Sequence, residues 1–293
     1  MKKYQRVLLL LLIFFSIYLP KCFAGEKIIN LVYTNWPCSI ANTNIAKAVL
    51  EKTMGYKVHI EQKSTKDMWK SIASGKADAT VSAWLPTFHA NHLKKYKSKV
   101  KILNPVSMGV KSGIIVPTYV TINSISNLKS KAHKFNKHIL CLNKGSGLCS
   151  IAQKAISNYG LKGFTIKEVK ASEISDLIKK KQWFLLSLFE PHWLTSEWKY
   201  KYLDDPKKIF PLEEKIIAVI RNGFEKEEPD VYAFLNRFYW SPKDIQKLLI
   251  KNHKNPSLNY KNTKDYISKN HKQLNIWLKD VKLGHTKRKF GLQ

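Results

Sequence analysis

Residues 79–89 read Ala79-Thr80-Val81-Ser82-Ala83-Trp84-Leu85-Pro86-Thr87-Phe88-His89. The β-branched and small residues of 79–83 suit a buried strand, and Pro86 prevents it from continuing as a central strand. Trp84 therefore stands where a strand gives way to a loop. The same arrangement occurs near the start of the chain, where the run 28–33 leads into Thr34-Asn35-Trp36. Open α/β sheets bind ligands outside the carboxyl ends of their strands. Tryptophan is also the strongest side chain for holding a cation against a ring face. A single tryptophan usually means packing, which is the better reading of Trp69. Two at strand ends, with His89 five residues past the second, point to a small-molecule pocket.

Outward from these two points, strand and helix patterns alternate. A helix over 42–53, stopped by Gly55, precedes a strand over 57–61; Thr65 then caps a helix that runs to Gly75. After the strand 79–83 comes a solvated basic stretch, 94–101, and an extended run, 112–117. The pattern restarts with a strand over 138–142, a glycine loop, a helix to Tyr159, and then strand 164–170, helix 173–180 and strand 184–189. A last strand covers 215–220, and the chain is helical from Pro229. Repeated βα units predict mostly parallel sheets with helices on both faces. Two such series predict two lobes with a ligand cleft between them, lobe 1 being 25–117 plus 221–293 and lobe 2 being 118–220.

The amino terminus predicts export. Lys2, Lys3 and Arg6 precede an apolar run over 7–19, and Cys22 and Ala24 occupy −3 and −1 of a cut before Gly25, so 1–24 reads as a cleaved signal peptide. Lys21 argues against lipidation at Cys22. The whole chain carries a formal net charge of +30; removing four basic residues with the signal leaves 47 against 21 acidic ones, or +26. That balance raises a nucleic-acid reading. The lysines are nevertheless scattered, and no zinc-finger spacing, aromatic-interleaved RNA motif or basic helix accompanies them. A solubilising coat with some attraction to anionic headgroups is the plainer account. Of the cysteines that survive cleavage, Cys141 and Cys149 bracket a tight loop that a local disulfide could close, leaving Cys38 as the free thiol. No metal-ligand spacing is present.

Gly145-Ser146-Gly147 lies between a strand and a helix, where backbone N–H groups make an anion seat. It lacks the spacing of a P-loop or a dinucleotide fingerprint. Catalysis would need Cys38 paired with His89, or Ser146 as nucleophile. Ser146 has no full GxSxG elbow and no acidic orienter is placed by motif.

These stretches together resemble the substrate-binding proteins of glycine betaine/proline betaine ABC transporters, the OpuAC-like family. The matching residues are Asn35-Trp36 with Ile40 to Asn44, Met68-Trp69, Ser74-Gly75-Lys76-Ala77-Asp78-Ala79, Ser82 to Pro86 with His89, Gly145-Ser146-Gly147, Pro191-His192-Trp193 and 201–208. The resemblance covers about 27–277. It implies a type II periplasmic-binding-protein fold, a periplasmic monomer that is not an enzyme and needs no cofactor, a betaine ligand, and membrane contact only through a permease. By motif position it implies that Trp36 and Trp84 are walls of an aromatic box for a trimethylammonium group. It further implies that His89 and the amides of Gly147 and Leu148 hold a carboxylate. The family commonly has Gly-Trp-Thr before Pro-His-Trp; here Leu188-Phe189-Glu190 stands there, so Phe189 becomes the third wall with a carboxylate beside it. A phenyl ring holds cations less strongly than indole, which puts ligand preference in question more than ligand class. Choline- or carnitine-selective binding is the nearest alternative.

Overall fold

The computed structural model describes residues 28–142, 146–279 and 281. The expected signal peptide, residues 143–145 of the glycine loop and the basic tail fall outside them. Eight strands form one path in the order β2-β1-β3-β9-β4-β7-β5-β6, and β8 pairs with β4 off that path. The strands are β1 (Ile28–Tyr33), β2 (Lys57–Gln62), β3 (Ala79–Leu85), β4 (Val100–Pro117), β5 (His138–Cys141), β6 (Thr165–Glu168), β7 (Leu186–Glu190), β8 (Tyr200–Tyr202) and β9 (Glu214–Arg221). The α-helices are α1 (Pro37–Lys52), α2 (Thr65–Ala73), α3 (Ala90–Tyr96), α4 (Gly147–Asn158), α5 (Ala171–Lys179), α6 (Phe224–Glu227), α7 (Pro229–Arg237), α8 (Pro242–Lys254), α9 (Asn259–Lys269) and α10 (His271–Trp277).

The ends of the path are parallel: β1 pairs with β2 and β3, and β5 with β6 and β7. Its centre is antiparallel, because β9 runs between β3 and β4, and β4 then pairs with β7 and β8. The sequence missed this because β4 is a single 18-residue strand of which only 112–117 was read as extended; its first two residues fell in the basic stretch 94–101 and 102–111 were given no element. Residues 100–110 of β4 lie against β9, and 111–117 against β7 and β8. The change of sheet falls inside β4, near Val110 and Lys111. All of β9 pairs with β3 and the first part of β4.

Two further differences come from local chemistry. Pro37 occupies the first turn of α1 with Trp36 as N-cap, so the helix begins five residues before the apolar periodicity suggests. Ser64, not Thr65, caps α2, its hydroxyl accepting from the Asp67 amide at 3.1 Å. The strand 79–83 extends through Leu85, which puts Trp84 in the strand itself.

Apolar burial separates on either side of the change of sheet. Ile29, Leu31, Ile45, Val49, Ala218, Phe234, Trp240 and Trp277 pack with β1, β3 and β9. Ile114, Val116, Leu128, Ile139, Ala152 and Leu185 pack with the second sheet. Trp240 and Trp277 are core anchors, and their indole N–H groups donate to Asn42 Oδ1 at 3.0 Å and to the Tyr239 carbonyl at 2.7 Å. Tyr239, next to Trp240 in sequence, is exposed. Phe88 and Phe189 pack against both cores. Between the two cores lies a cleft of about 710 Å³.

A candidate ligand cleft lined by aromatic rings

The carboxyl ends of β1 and β3 supply one wall of this cleft. Asn35, Trp36 and Pro37 follow β1, and Trp84 and Phe88 come from β3 and the turn after it. That turn is held by Glu214 at the start of β9, whose carboxylate accepts from the Thr87 amide at 2.8 Å. Burial pushes the Glu214 carboxyl above its ordinary pKa. The second wall comes from the start of α4 (Ser146, Gly147, Leu148, Cys149), the β6–α5 turn, and Ser187, Leu188 and Phe189 of β7, followed by His192 and Trp193.

Three rings meet across the seam. The Trp36 and Trp84 centroids are 6.0 Å apart with planes at 90°, Trp84 and Phe189 are 5.0 Å apart at 73°, and Trp36 and Phe189 are 6.5 Å apart at 50°. A point roughly 5 Å from all three centroids lies off the plane they define, inside the ~6 Å reach of a cation–π contact. Phe88, which the sequence reading passed over although it lies in the opening motif, packs edge-on to Trp84 at 5.7 Å. A Cβ placed on Gly147 would meet the Phe88 ring at 3.4 Å. The rings of one wall therefore touch the helix start of the other.

The start of α4 has the N–H-rich geometry of a helix N-terminus. Ser146 is its N-cap: its hydroxyl accepts from the Cys149 amide at 3.3 Å, and its carbonyl from the Ser150 amide at 3.2 Å. Gly147 and Leu148 occupy the first two helical positions, where no earlier turn offers their N–H groups an acceptor. A disulfide joins Cys141 at the end of β5 to Cys149, tying this helix start to the strand before it. Cys38 is fully buried and its thiol is pushed up to about 12 by burial, so it is held as an unreactive thiol rather than as a thiolate.

His89 does not line the cleft surface. It lies behind Trp36, ring centroids 5.8 Å apart, and is 1% exposed. Its Nδ1 accepts from Trp69 Nε1 at 3.2 Å and from the Trp84 amide at 3.1 Å. With Nδ1 accepting twice, the ring proton must sit on Nε2, which is buried and has no partner among the described residues. Burial, helped by the charge of nearby His92, drives the pKa of His89 down to about 3, so the ring is neutral. His89 is thus a neutral donor with nothing yet to donate to. Trp69 is both core filler, as expected, and the group that helps fix the tautomer of His89. Two more buried polar atoms without partners belong to cleft residues, Trp84 Nε1 and Ser187 Oγ.

Glu190 does not present its carboxylate to the rings. Both oxygens are taken by β8, one by the Tyr200 hydroxyl and the other by that of Tyr202 at 3.0 Å. Burial, followed by Glu190 itself, raises the pKa of both phenols. His192 and Trp193 also line the pocket. His192 accepts the Leu194 amide on Nδ1 at 3.2 Å, while its carbonyl accepts from Gln246 of α8 at 2.6 Å. Trp193 stacks flat on His253 of the same helix at 3.3 Å.

A mixed α/β chain whose two sheet regions face each other across an aromatic cleft with a helix start on one side is a ligand-binding protein of the type II periplasmic-binding-protein fold. The chain belongs to the family of substrate-binding domains of ABC-type glycine betaine transport systems, whose profile matches residues 27–269. It is 35% identical to the solved glycine/betaine/L-proline-binding protein ProX of Borrelia burgdorferi, with 87% of this chain and 97% of that one covered and a TM-score of 0.80. Lactococcal OpuAC, solved closed with glycine betaine, is 29% identical over 87% of this chain and 100% of its own, with a TM-score of 0.79. The glycine betaine/carnitine transport binding protein GbuC of Listeria monocytogenes is 43% identical over 107 residues, 36% of this chain and 35% of that protein. The chain therefore matches about a third of the length of that curated relative.

Proposed function

We propose that this protein captures glycine betaine or a related quaternary-ammonium zwitterion outside the cytoplasm and delivers it to the permease of an ABC importer. Trp36, Trp84 and Phe189 enclose the trimethylammonium group. The amides of Gly147 and Leu148, with Nε2 of His89, hold the carboxylate. The observation that carries this reading is the pairing of a three-ring cluster with buried donors that have no partner, as a ligand with a cationic and an anionic end requires. A quaternary ammonium has no N–H to donate, so aromatic faces are what can replace its hydration. Each ring offers about 2 kcal/mol when dry. Three of them with charge-assisted bonds to the carboxylate can support a dissociation constant near micromolar, about −8 kcal/mol, after the cost of association.

Walls from both sheet regions make the ligand a bridge between them. We assign 28–110 with 214–281 to one lobe and 111–213 to the other, following the strand ladder. The protein acts as an exported, non-catalytic monomer without cofactor. Calorimetry of the mature chain against glycine betaine, proline betaine, carnitine, choline and dimethylsulfoniopropionate tests the proposal. Binding of at least one zwitterion more tightly than choline is expected. Silence across the panel would sink it.

A further inference from the structure

Ser187 lies two residues before Phe189 on β7, so the two side chains leave the same face of the strand. Both line the cleft, Ser187 is 2% exposed, and its hydroxyl has no partner among the described residues. A buried hydroxyl without a partner costs free energy that a ligand can recover by supplying one. The groups assigned above leave no use for it. The ammonium end has no hydrogen to give, and the carboxylate end is served by Gly147, Leu148 and His89. There is also room: glycine betaine, with about eight non-hydrogen atoms, fills only a fraction of a cleft of about 710 Å³.

We propose that Ser187 is a specificity-determining residue that recognises a hydroxyl on the carbon chain between the ammonium and carboxylate of the ligand, so that the pocket favours hydroxylated betaines over their deoxy counterparts. This rests on the betaine reading above. A serine hydroxyl can both donate to and accept from a ligand hydroxyl, whereas it can only donate to a carboxylate, whose partners are assigned above, and finds no hydrogen-bond partner in a trimethylammonium. A site built to hydrogen-bond a hydroxyl rejects the analogue lacking it, because its own polar group then stays buried and unpaired.

The test compares L-carnitine with γ-butyrobetaine, which is the same molecule without the hydroxyl, by calorimetry on the full mature chain. The wild type should prefer carnitine by roughly 5–10-fold. Ser187→Ala should bring the ratio close to one by weakening carnitine alone, and Ser187→Cys, which keeps the volume, should fall between. Ser112→Ala removes another unpartnered hydroxyl, beside Phe189 across the strand pair but outside the cleft lining, and should leave the ratio unchanged. Equal wild-type affinities for the two ligands, or equal loss of both in Ser187→Ala, would overturn the assignment. Failure of the wild type to bind either of them or glycine betaine would overturn the underlying betaine reading instead.

Discussion

Replacing His89 with phenylalanine separates the two jobs this residue holds. The ring is neutral and its Nε2–H is buried without a partner among the described residues. A hydrogen bond from it to a carboxylate is charge-assisted and contributes about 2 kcal/mol. Its loss should weaken glycine betaine roughly 30-fold, at about 1.4 kcal/mol per factor of ten. Choline carries the same ammonium but no carboxylate, so its affinity should change less than about 3-fold if the rings stay in place. Whether they do depends on Nδ1, which accepts from Trp69 Nε1 and from the amide of Trp84. The phenyl ring leaves both donors unpaired, at about 1–3 kcal/mol each, and urea denaturation should show that loss of stability. His89→Gln offers an amide oxygen and an N–H together and should recover part of both effects. Paired titrations with glycine betaine and choline are the assay. Unchanged glycine betaine affinity in His89→Phe, or an equal loss for both ligands, would refute the carboxylate role of Nε2.

Three further outcomes follow from the same geometry. Burial holds His89 near 3 and His192 near 4, against an ordinary value of 6.5, so each is neutral when folded and gains a proton on unfolding below that value. Stability should be full above pH ~6.5 and fall toward pH 4 by up to about 1.4 kcal/mol per pH unit per histidine; a flat urea midpoint between pH 7.5 and 5 would contradict this. Gly147→Pro puts proline at the first position of α4, which the extended Ser146 (ψ 152°) accommodates, so the melting temperature should hold while the lost N–H weakens betaines about tenfold in calorimetry. Phe189→Trp should tighten glycine betaine about 3-fold through the stronger quadrupole and exclude bulkier betaines, because Phe189 already sits 5.0 Å from Trp84; unchanged affinities across several betaines would show that the third wall does not set preference.

The parts of the fold that were legible in the sequence are those where one face of an element is apolar and a capping residue marks its end. β1, β2 and β9 were read within a residue or two, as was the helix α4 with its glycine stop. β4 was not, because its burial is irregular: residues such as Leu103 and Val106 are buried between exposed Ile102 and Met108, and its register against β9 shifts repeatedly. A strand that bends between two sheets has no steady period of two for a sequence to display. The start of α1 was missed for the opposite reason. Its first turn is set by Pro37, a conformational signal, while the apolar periodicity used to find it begins only later.

Of the six residues named from motif position, Trp36, Trp84, Gly147, Leu148 and Phe189 line one cleft and His89 is buried beside Trp36, and chemistry explains why their placement was more legible than their ranking. Aromatic rings and glycine amides act through their position, which strand ends and helix starts dictate, so Trp36, Trp84, Gly147 and Leu148 follow once the elements are placed. The role of His89 rests on which nitrogen carries a proton, and that is decided by Trp69, on another helix, and by the Trp84 amide. Glu190 shows the converse. Adjacent to Phe189 in sequence, it looked like a charge in the box, yet two tyrosines of β8 draw it away. The charge next to Phe189 is thus set by partners ten and twelve residues later, whereas Ser187, deep in the same strand, has no partner among the described residues. In this cleft the aromatic residues can supply affinity for any trimethylammonium, so discrimination among such ligands has to come from the few polar atoms the fold leaves unsatisfied.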